Sequence, residues 1–380
     1  MKRIAYLCAI LLFLFRTPVI TDAAEFTYEK ERDAEKVMTE GWESILEYLP
    51  EEIGQEASEM NLTNGGGIRD KVSLRYWAGQ IMTGIRENLS EIIPGILPLF
   101  SMILILSAVE LSIQNSPSQN LQKAFSVLSS LTSAVVVFGM TDRIMSSAQL
   151  YLNRLCGIMN LLTPVMEGLY LAGGDLTQKA VTTEAVMLGV TLVGNFSGQL
   201  LAPMTNLLFT LSCVGGVCGD VKISGFTAGL RKLIMRLWQF GTLLFSFLLS
   251  VQSILAKSAD SLAAKTARFA IGSFIPVAGG VIAEAYSTLK EGISVLRSTA
   301  GIGGIVVILL LLIPGIVPLV LYKCVLSVAE TVSEALNLNG LRGMLGEVHG
   351  IADMLFAFVL YTSLMFVLAV MIFAKSRAGL

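Results

Sequence analysis

IIPGILPLF, residues 92–100, and LIPGIVPLV, residues 312–320, are two apolar stretches that carry the same Pro-Gly-x-x-Pro motif. Each belongs to an apolar run that reaches the length of a membrane-spanning helix, about 18 residues or more. Across the chain, 54% of the residues are hydrophobic and only 15% are charged. Because the apolar runs exceed what the core of a water-soluble protein uses, the sequence predicts an all-α, polytopic transmembrane helical bundle.

The two motifs lie within a longer repeat. Ungapped alignment of residues 92–110 with residues 312–330 gives nine identities in nineteen positions, including both prolines and the glycine of each motif and the pair Glu110 and Glu330. A polar linker and another apolar run follow each copy, so the repeated unit is predicted to be a helical hairpin, residues 92–140 and 312–374. Pro and Gly are common in membrane helices, so packing alone is the alternative explanation.

The N-terminus, MKRIAYLCAILLFLFRTPVITDAA, has the pattern of a secretory signal peptide. Lys2 and Arg3 precede an apolar core from Ile4 to Phe15, and small residues follow near Ala23. The core is shorter than a membrane span, and residues 1–23 are therefore predicted to be a signal peptide. An uncleaved signal anchor is the alternative, and in either case the next segment is expected outside the cytoplasm.

Residues 24–91 are predicted to form an extracytoplasmic, acidic, amphipathic helical region. Between residues 25 and 59 there are twelve acidic and three basic residues, and Trp42, Ile45, Leu46 and Leu49 recur at helical spacing. Pro50 and the NGGG run at residues 64–67 are expected to divide the region. It is either a docking region for an extracytoplasmic partner or a solvated acidic face.

Residues 92–380 are predicted to form a polytopic membrane domain of about six to eight apolar segments. Some segments are too short or too rich in Gly and Pro to be ordinary spans, and segment 181–218 is interrupted at Pro203. The segments are 92–111, 121–140, 155–173, 181–218, 233–255, 269–288, 301–328 and 352–374.

Basic residues orient this domain, because short loops rich in Lys and Arg stay in the cytoplasm. One basic segment, residues 222–236, is the best candidate for a cytoplasmic docking surface. The C-terminal residues, with Lys375 and Arg377, are expected on the same side, opposite to the acidic N-terminal region. The basic residues of the candidate docking surface are Lys222, Arg231, Lys232 and Arg236.

On this topology the first repeat copy runs inward and the second runs outward, which is the pattern of an inverted repeat. The prolines are expected to break the entrance of the first span and to kink the later one. Broken helices expose backbone groups that a pore or a subunit interface uses. The candidate functional positions are Pro94, Gly95, Pro98, Pro314, Gly315 and Pro318.

Three carboxylates in or beside apolar segments are further candidates, because burying a charge in lipid is costly and such groups usually serve a function. Glu110 and Glu330 occupy matching positions of the repeat, although both are also compatible with helix ends in the headgroup zone. Glu284, in GGVIAEAY, lies deepest in its segment and is the best candidate for a buried carboxylate.

No enzyme constellation is visible in the sequence. There is no Walker A motif and no HExxH motif, and the single histidine, His349, excludes a histidine-based catalytic or zinc cluster within one chain. Cysteines in apolar surroundings are expected to behave as small hydrophobic residues. We therefore expect no enzymatic activity, no cofactor, no metal and no nucleic-acid partner.

Together, the signal sequence, the acidic stretch, IIPGILPLFSMILILSAVE, the segments CGDVKISGF and GLRKLI, and the PGIVPLV hairpin resemble the stage III sporulation protein AE family of endospore-forming bacteria. The resemblance covers essentially the full chain and rests on architecture rather than on a catalytic signature. It implies a multi-pass protein of the mother-cell membrane that surrounds the forespore.

The resemblance further implies a membrane subunit of a secretion-like channel complex that links mother cell and forespore and supports forespore gene expression. The implied partners are other stage III sporulation membrane proteins, ring-forming extracytoplasmic subunits, a secretion-type ATPase and the lipid bilayer, with a homo-oligomer as a further expectation. Three roles stay open: a channel or export-platform subunit, a non-conducting assembly scaffold, and an independent secondary transporter with inverted repeats.

Overall fold

The chain is helical in the part that the structure, a computed structural model, describes, namely residues 19–59, 74–114, 119–217, 223–274 and 279–374. No strand lies in these ranges, and the predicted all-α class is confirmed. The predicted signal peptide lies largely outside them. The helices are α1 (Val19–Tyr48), α2 (Glu51–Glu59), α3 (Leu74–Gln114), α4 (Gln119–Ala172), α5 (Leu176–Asn195), α6 (Leu201–Val217), α7 (Ile223–Phe274), α8 (Gly279–Ala335) and α9 (Asn339–Ala374).

Within the described ranges, six helical segments are long and apolar enough to cross a membrane. The predicted segments 121–140 and 155–173 form one continuous helix, α4, since the polar residues between them continue the helix and Pro164 lies inside it. The predicted segment 269–288 is not among the six and includes residues outside the description. The six segments are Ile92–Ile113, Val127–Ala172, Leu176–Gly215, Gly225–Ala256, Val295–Ala335 and Gly340–Ala374.

Segment 176–217 is two helices joined by one π-helical turn, Phe196–Leu200. Pro203 follows this turn and has no backbone N–H to continue the ladder. The interruption predicted near Pro203 is therefore confirmed. It is a single π-helical turn, and the chain stays helical on both sides of it.

Consecutive long helices run in opposite directions. Lys323 Nζ lies 2.7 Å from Asp353 Oδ1, and Gly301 packs against Ala374, so α8 and α9 are antiparallel. We call the end that contains the α3–α4, α6–α7 and α8–α9 connections the upper end. The opposite end, with the α4–α5 turn and the end of α9, is the lower end.

The start of α3 and the end of α9 both lie at the lower end, because six alternating helices return the chain to the end where it began. This arrangement differs from the prediction, which placed the acidic region and the C-terminus on opposite sides. The structure also places residue 223 and Ala374 at opposite ends of the bundle. The basic segment 222–236 and the basic C-terminal residues were both expected on the cytoplasmic side. The prediction counted segment 269–288 as a separate crossing, whereas α7, α8 and α9 supply only three crossings between residue 223 and Ala374.

The proline motifs do not break their helices. Pro94 and Pro98 lie inside α3, which begins at Leu74, and Pro314 and Pro318 lie inside α8. The expected break at the entrance of the first span is thus wrong, since α3 is continuous through Pro94 and Pro98, and the kink expected in the later span stays a prediction. Each proline still removes one N–H donor from the helical ladder, a loss that packing against neighbouring helices compensates.

The two repeat copies run in the same direction. Gly84 of α3 lies beside Ile313 and Val317 of α8, and Gly95 lies beside Tyr322, so residue numbers rise together along both helices. The inverted repeat is therefore wrong. Gly95 lies beside Tyr322 rather than its counterpart Gly315, and the contacts of Gly84 give a larger offset, so the copies are displaced by at least seven residues, or about 10 Å.

Helix α1 confirms the predicted amphipathic stripe. Trp42 and Ile45 are 2% and 0% exposed, and the helix ends at Tyr48 just before Pro50. Val165 of α4 fills the space beside Gly41, and Gly303 of α8 packs against Trp42. The apolar face of α1 thus packs against α4 and α8, and its acidic face stays exposed.

Candidate functional site

The second proline motif is packed into the centre of the bundle. Gly315 and Pro318 are buried, and a methyl group added at Gly315 would lie 2.2 Å from Cδ2 of Tyr151 on α4. The Tyr151 hydroxyl lies 2.6 Å from Ser363 Oγ on α9. Because Ser363 donates its own proton to the Val359 carbonyl, Tyr151 is the donor to Ser363. The glycine therefore permits a three-helix contact among α4, α8 and α9.

The two prolines of this motif leave backbone acceptors without their helical donors. In an α-helix the N–H of residue i bonds to the carbonyl of residue i−4. Pro314 and Pro318 lack that N–H, so the carbonyls of Leu310 and Pro314 lose their usual partners. Two acceptors one turn apart result, at the point where α8 meets α2, α3 and α4.

A polar recess adjoins these carbonyls. Its inner part has a volume of about 340 Å³ and reaches Tyr151, Gly315 and Pro318. Its outer part, of about 460 Å³, extends between α2 and α3. We call the two together the proline recess. The residues that line both parts are Glu52, Glu87, Asn88, Arg154 and Pro314.

Arg154 is the cation of the proline recess. It is half-buried on α4, and among the residues that the structure describes it forms no ion pair within 4 Å. Glu52 and Glu87 line the same recess and are exposed. An arginine that faces a polar recess inside a bundle of apolar helices is typical of a hydrated path or a binding site in membrane proteins.

The outer rim of the recess is organised by Glu56 of α2. Tyr76 donates to Glu56 Oε2 at 3.5 Å, and Gln80 donates to Glu56 Oε1. Burial and the neighbouring Glu56 carboxylate raise the pKa of the Tyr76 phenol above its usual value. These bonds fix α2 on the amphipathic start of α3.

The first proline motif has the opposite environment. Pro94 and Pro98 are exposed, and the atoms nearest to a methyl group built on Gly95 are 3.8 Å away, on Arg143. Sequence analysis predicted both motifs as functional positions. The structure brings only Pro314, Gly315 and Pro318 to the recess.

The predicted carboxylates do not meet in one site. Glu110 and Glu330 are half-buried in the last two turns of α3 and α8, and Glu330 Oε2 lies 3.8 Å from His349 Nδ1. Glu284 lies in α8, but its side chain is outside the described residues. The helix-end alternative thus describes Glu110 and Glu330 well.

The predicted basic docking surface is only partly available. Arg231 donates to Glu347 Oε2 at 3.0 Å, and Thr227 donates to the same carboxylate at 2.8 Å, so this arginine ties α7 to α9. Lys232 and Arg236 are exposed. Lys222 lies outside the described residues.

A second polar cluster, at the lower end, was missed by the sequence analysis. Arg297 of α8 donates to Asp175 Oδ2 at 2.9 Å in the turn between α4 and α5, and both side chains are at least nine-tenths buried. The guanidinium also lies 4.5 Å from the centre of the Tyr170 ring. Asp175 and Arg297 lie between the predicted apolar segments, where their pairing leaves no signal in the sequence. Arg154 lies directly before the predicted segment 155–173.

Comparisons with known proteins agree with the family named above. Residues 65–376 match the family described as stage III sporulation protein AE. The chain is also 24% identical over 148 residues to stage III sporulation protein AE of Bacillus subtilis (strain 168), a match that covers 39% of this chain and 37% of that protein. The chain thus spans well under two thirds of that relative in the match. No solved structure matches.

Proposed function

Since this chain belongs to the stage III sporulation protein AE family, we propose that it is the channel or export-platform subunit of a secretion-like complex that links mother cell and forespore. In this role it supports forespore gene expression and spore formation. The role is non-enzymatic: the helices provide a path, and energy for transfer comes from a partner ATPase.

The observation that carries this proposal is the proline recess. A bundle that served only as an anchor would have no need of a polar interior, because unpaired charges and free carbonyls are unfavourable among apolar helices. Here Arg154, Pro314 and Pro318 line one recess together with Glu52, Glu87 and Asn88. The recess therefore supports a hydrated passage more than it supports an anchor.

The bundle also supports one orientation. The exposed acidic face of α1 lies at the lower end, which in the proposal faces the space between the two membranes, where ring-forming subunits would dock. Lys232 and Arg236 lie near the upper end and are exposed, in agreement with retention of basic residues in the cytoplasm. The upper end would then face the mother-cell cytoplasm and the ATPase.

An assembly scaffold is the second candidate. The exposed acidic face of α1 favours it, because this face is held rigidly on α4 and α8 and is suited to a basic partner. The secondary transporter loses its support, since that role was inferred from an inverted repeat and the copies run in parallel.

The test separates conduction from assembly. Glu87→Gln keeps the size of the side chain and removes its charge, and Arg154→Gln replaces the guanidinium by a shorter, neutral, polar side chain. We expect both variants to reach the membrane and to recruit the partner proteins normally, while forespore reporter expression falls at least tenfold. Lys36→Gln, an exposed charge on α1 in an i,i+4 pair with Glu40, is the matched control and should leave the reporter unchanged.

A result in which Arg154→Gln and Glu87→Gln leave the reporter at the wild-type level would contradict the conduit. Loss of partner recruitment by either variant would support the scaffold instead. Water access gives a second measurement: with the native cysteines replaced, Ser147→Cys in the recess should react with a membrane-impermeant maleimide. Leu152→Cys, which is 0% exposed on the same helix, should not react.

A further inference from the structure

We propose that one outer face of the bundle, formed by α4, α5 and α6, lines a water-filled passage that lies beside the chain. This outer polar face is distinct from the proline recess, and the inference goes beyond the proposed function. Its residues on α4 are Asp142, Ser146, Asn153 and Asn160, and all four are exposed. Its residues on α5, the π-turn and α6 are Glu184, Thr191, Asn195, Gln199, Asn206 and Thr210, and all six are exposed.

The polar residues on each helix share one side of it. On α4 they are four or seven residues apart, and on α5 and α6 they recur with the same two steps. Side chains at these spacings lie on one face of an α-helix. The polar residues therefore form two stripes, about 27 Å long on α4 and about 39 Å long on α5 and α6 at 1.5 Å per residue.

The two stripes lie side by side. Ser197 in the π-turn donates to Asn153 Oδ1 at 3.2 Å, which joins the π-turn to the α4 stripe. Glu167 continues the α4 stripe by a further seven residues, and its Oε2 lies 3.6 Å from Lys179 Nζ on α5. The outer polar face is therefore continuous across the contact between the two helices, and the π-turn, a feature frequent at functional sites, lies in its middle.

Both stripes lie within segments that are long and apolar enough to cross a membrane, Val127–Ala172 and Leu176–Gly215. Lipid covering these exposed amides and carboxylates would leave them without hydrogen-bond partners, which is costly. The stripes are long enough to extend through most of a hydrocarbon core of about 30 Å. Charged and polar side chains at this depth face a protein interior or water, and within this chain the ten residues face outward.

Another side of the bundle is apolar at the same height. The Phe196 ring centre lies 4.5 Å from that of Trp238, and Gly189 packs against Phe245, so this part of α5 is level with residues 238–245 of α7. Around this height α7 exposes Leu237, Phe240, Leu243 and Phe247. One height of the bundle thus has a side that lipid can cover and a side that it cannot. Water at the polar side accounts for both, and in a bilayer other protein chains must close such a passage.

Cysteine reactivity tests the passage in the full-length chain, after replacement of the native cysteines, in membrane vesicles from sporulating cells. Asn195→Cys and Asn160→Cys each place a thiol on the outer polar face. We expect a membrane-impermeant maleimide to modify both at least ten times faster than it modifies two controls. The controls are Leu192→Cys, about one turn from Asn195 on α5, and Phe240→Cys at the same height on α7, where the native side chains are 49% and 64% exposed.

Two results would overturn the proposal. Fast modification of the polar and the control positions alike would place this height of the bundle outside the membrane. Slow modification of all four would mean that lipid or another protein covers the outer polar face. Gln199→Cys repeats the test within the π-turn, so low abundance of one variant does not prevent it, and modification after denaturation shows that each thiol is free to react.

This proposal and the conduit through the proline recess fail separately. The labelling rate does not depend on forespore gene expression. Ser147→Cys reports on the recess, whereas Asn160→Cys reports on the outer polar face of the same helix. Labelling of one without the other therefore identifies which of the two surfaces meets water.

Discussion

The two copies of the Pro-Gly-x-x-Pro motif have nearly the same sequence and opposite surroundings. In α8 the glycine is in contact with Tyr151, and the prolines line a polar recess. In α3 the glycine is half-buried, a methyl group there would make only ordinary van der Waals contacts with Arg143 and Tyr322, and both prolines are exposed. The difference shows that the motif does not determine its own role. Its neighbours do, and a displacement of about 10 Å between parallel helices gives each copy different neighbours.

A duplicated segment thus contributes an inner element and an outer element to one bundle. The inner copy meets α4 and α9 and forms part of the candidate passage. The outer copy lies on the exposed side of α3. Three changes, each with a matched control, test this contrast, and they are ordered below from the largest expected effect on stability to the smallest.

The buried ion pair between Arg297 and Asp175, which anchors α8, should be the contact whose loss destabilises the chain most. Arg297→Leu leaves Asp175 as an unpaired buried charge, and breaking such a pair costs about 3–5 kcal/mol. We expect a large drop in the unfolding temperature of the full chain in detergent. Replacing Asp175 with Leu as well should recover part of the loss.

Arg342→Leu is the matched control for the anchor. Its pair with Glu334, at 3.2 Å, is 44% and 56% exposed, so its loss should cost at most about 1 kcal/mol. If Arg342→Leu destabilised the chain as much as Arg297→Leu, the buried pair would not be a special anchor of α8.

The two glycines should respond differently to the same substitution. Gly315→Ala places a methyl group 2.2 Å from Tyr151, and such overpacking costs about 1–3 kcal/mol. Gly95→Ala meets nothing closer than 3.8 Å and should be neutral or stabilise α3 slightly through its higher helix propensity. Thermal unfolding and membrane abundance measure both, and equal effects would contradict the inner and outer assignment.

The hydrogen bond beside the inner glycine should have a smaller effect. Tyr151→Phe removes the donor to Ser363, whose own proton still bonds to Val359, so we expect a loss of about 1 kcal/mol. Tyr361→Phe, which loses a bond from Gln239 on an exposed side, serves as the comparison and should cost less. Denaturant unfolding measures the loss of stability in both variants. A larger loss in Tyr361→Phe than in Tyr151→Phe would contradict this prediction.

Much of the fold could be predicted from local patterns. The long apolar runs predicted the membrane helices, and the spacing of Trp42, Ile45 and Leu49 predicted the buried stripe of α1. Both features could be predicted because each signal lies within a single helix. The continuity of α4 was missed, since Asp142, Arg143 and their polar neighbours resemble a loop when their partners in the bundle are unknown. The direction of the second repeat copy was reversed for another reason, because segment 269–288 was counted as a separate crossing before it.

The candidate site could be predicted only in part. Pro314, Gly315 and Pro318 were found, because a helix-breaking cluster in an apolar run is visible in the sequence. Glu52, Glu87 and Arg154 were not, since they lie on three helices and only packing brings them together. The difference between the two motif copies has a partial signal in the sequence, because polar residues precede the first motif whereas the apolar run from Ile302 to Leu312 precedes the second.

The central claim is that the inner copy serves transfer and the outer copy does not. The most direct measurement compares forespore reporter expression in two double variants, Pro314→Ala with Pro318→Ala and Pro94→Ala with Pro98→Ala, at matched levels in the membrane. Both changes restore two helical N–H donors, so their local chemistry is the same. We predict that the inner pair lowers expression at least tenfold and that the outer pair leaves it within twofold of wild type. Equal loss in both variants, or loss in the outer pair alone, would contradict the account.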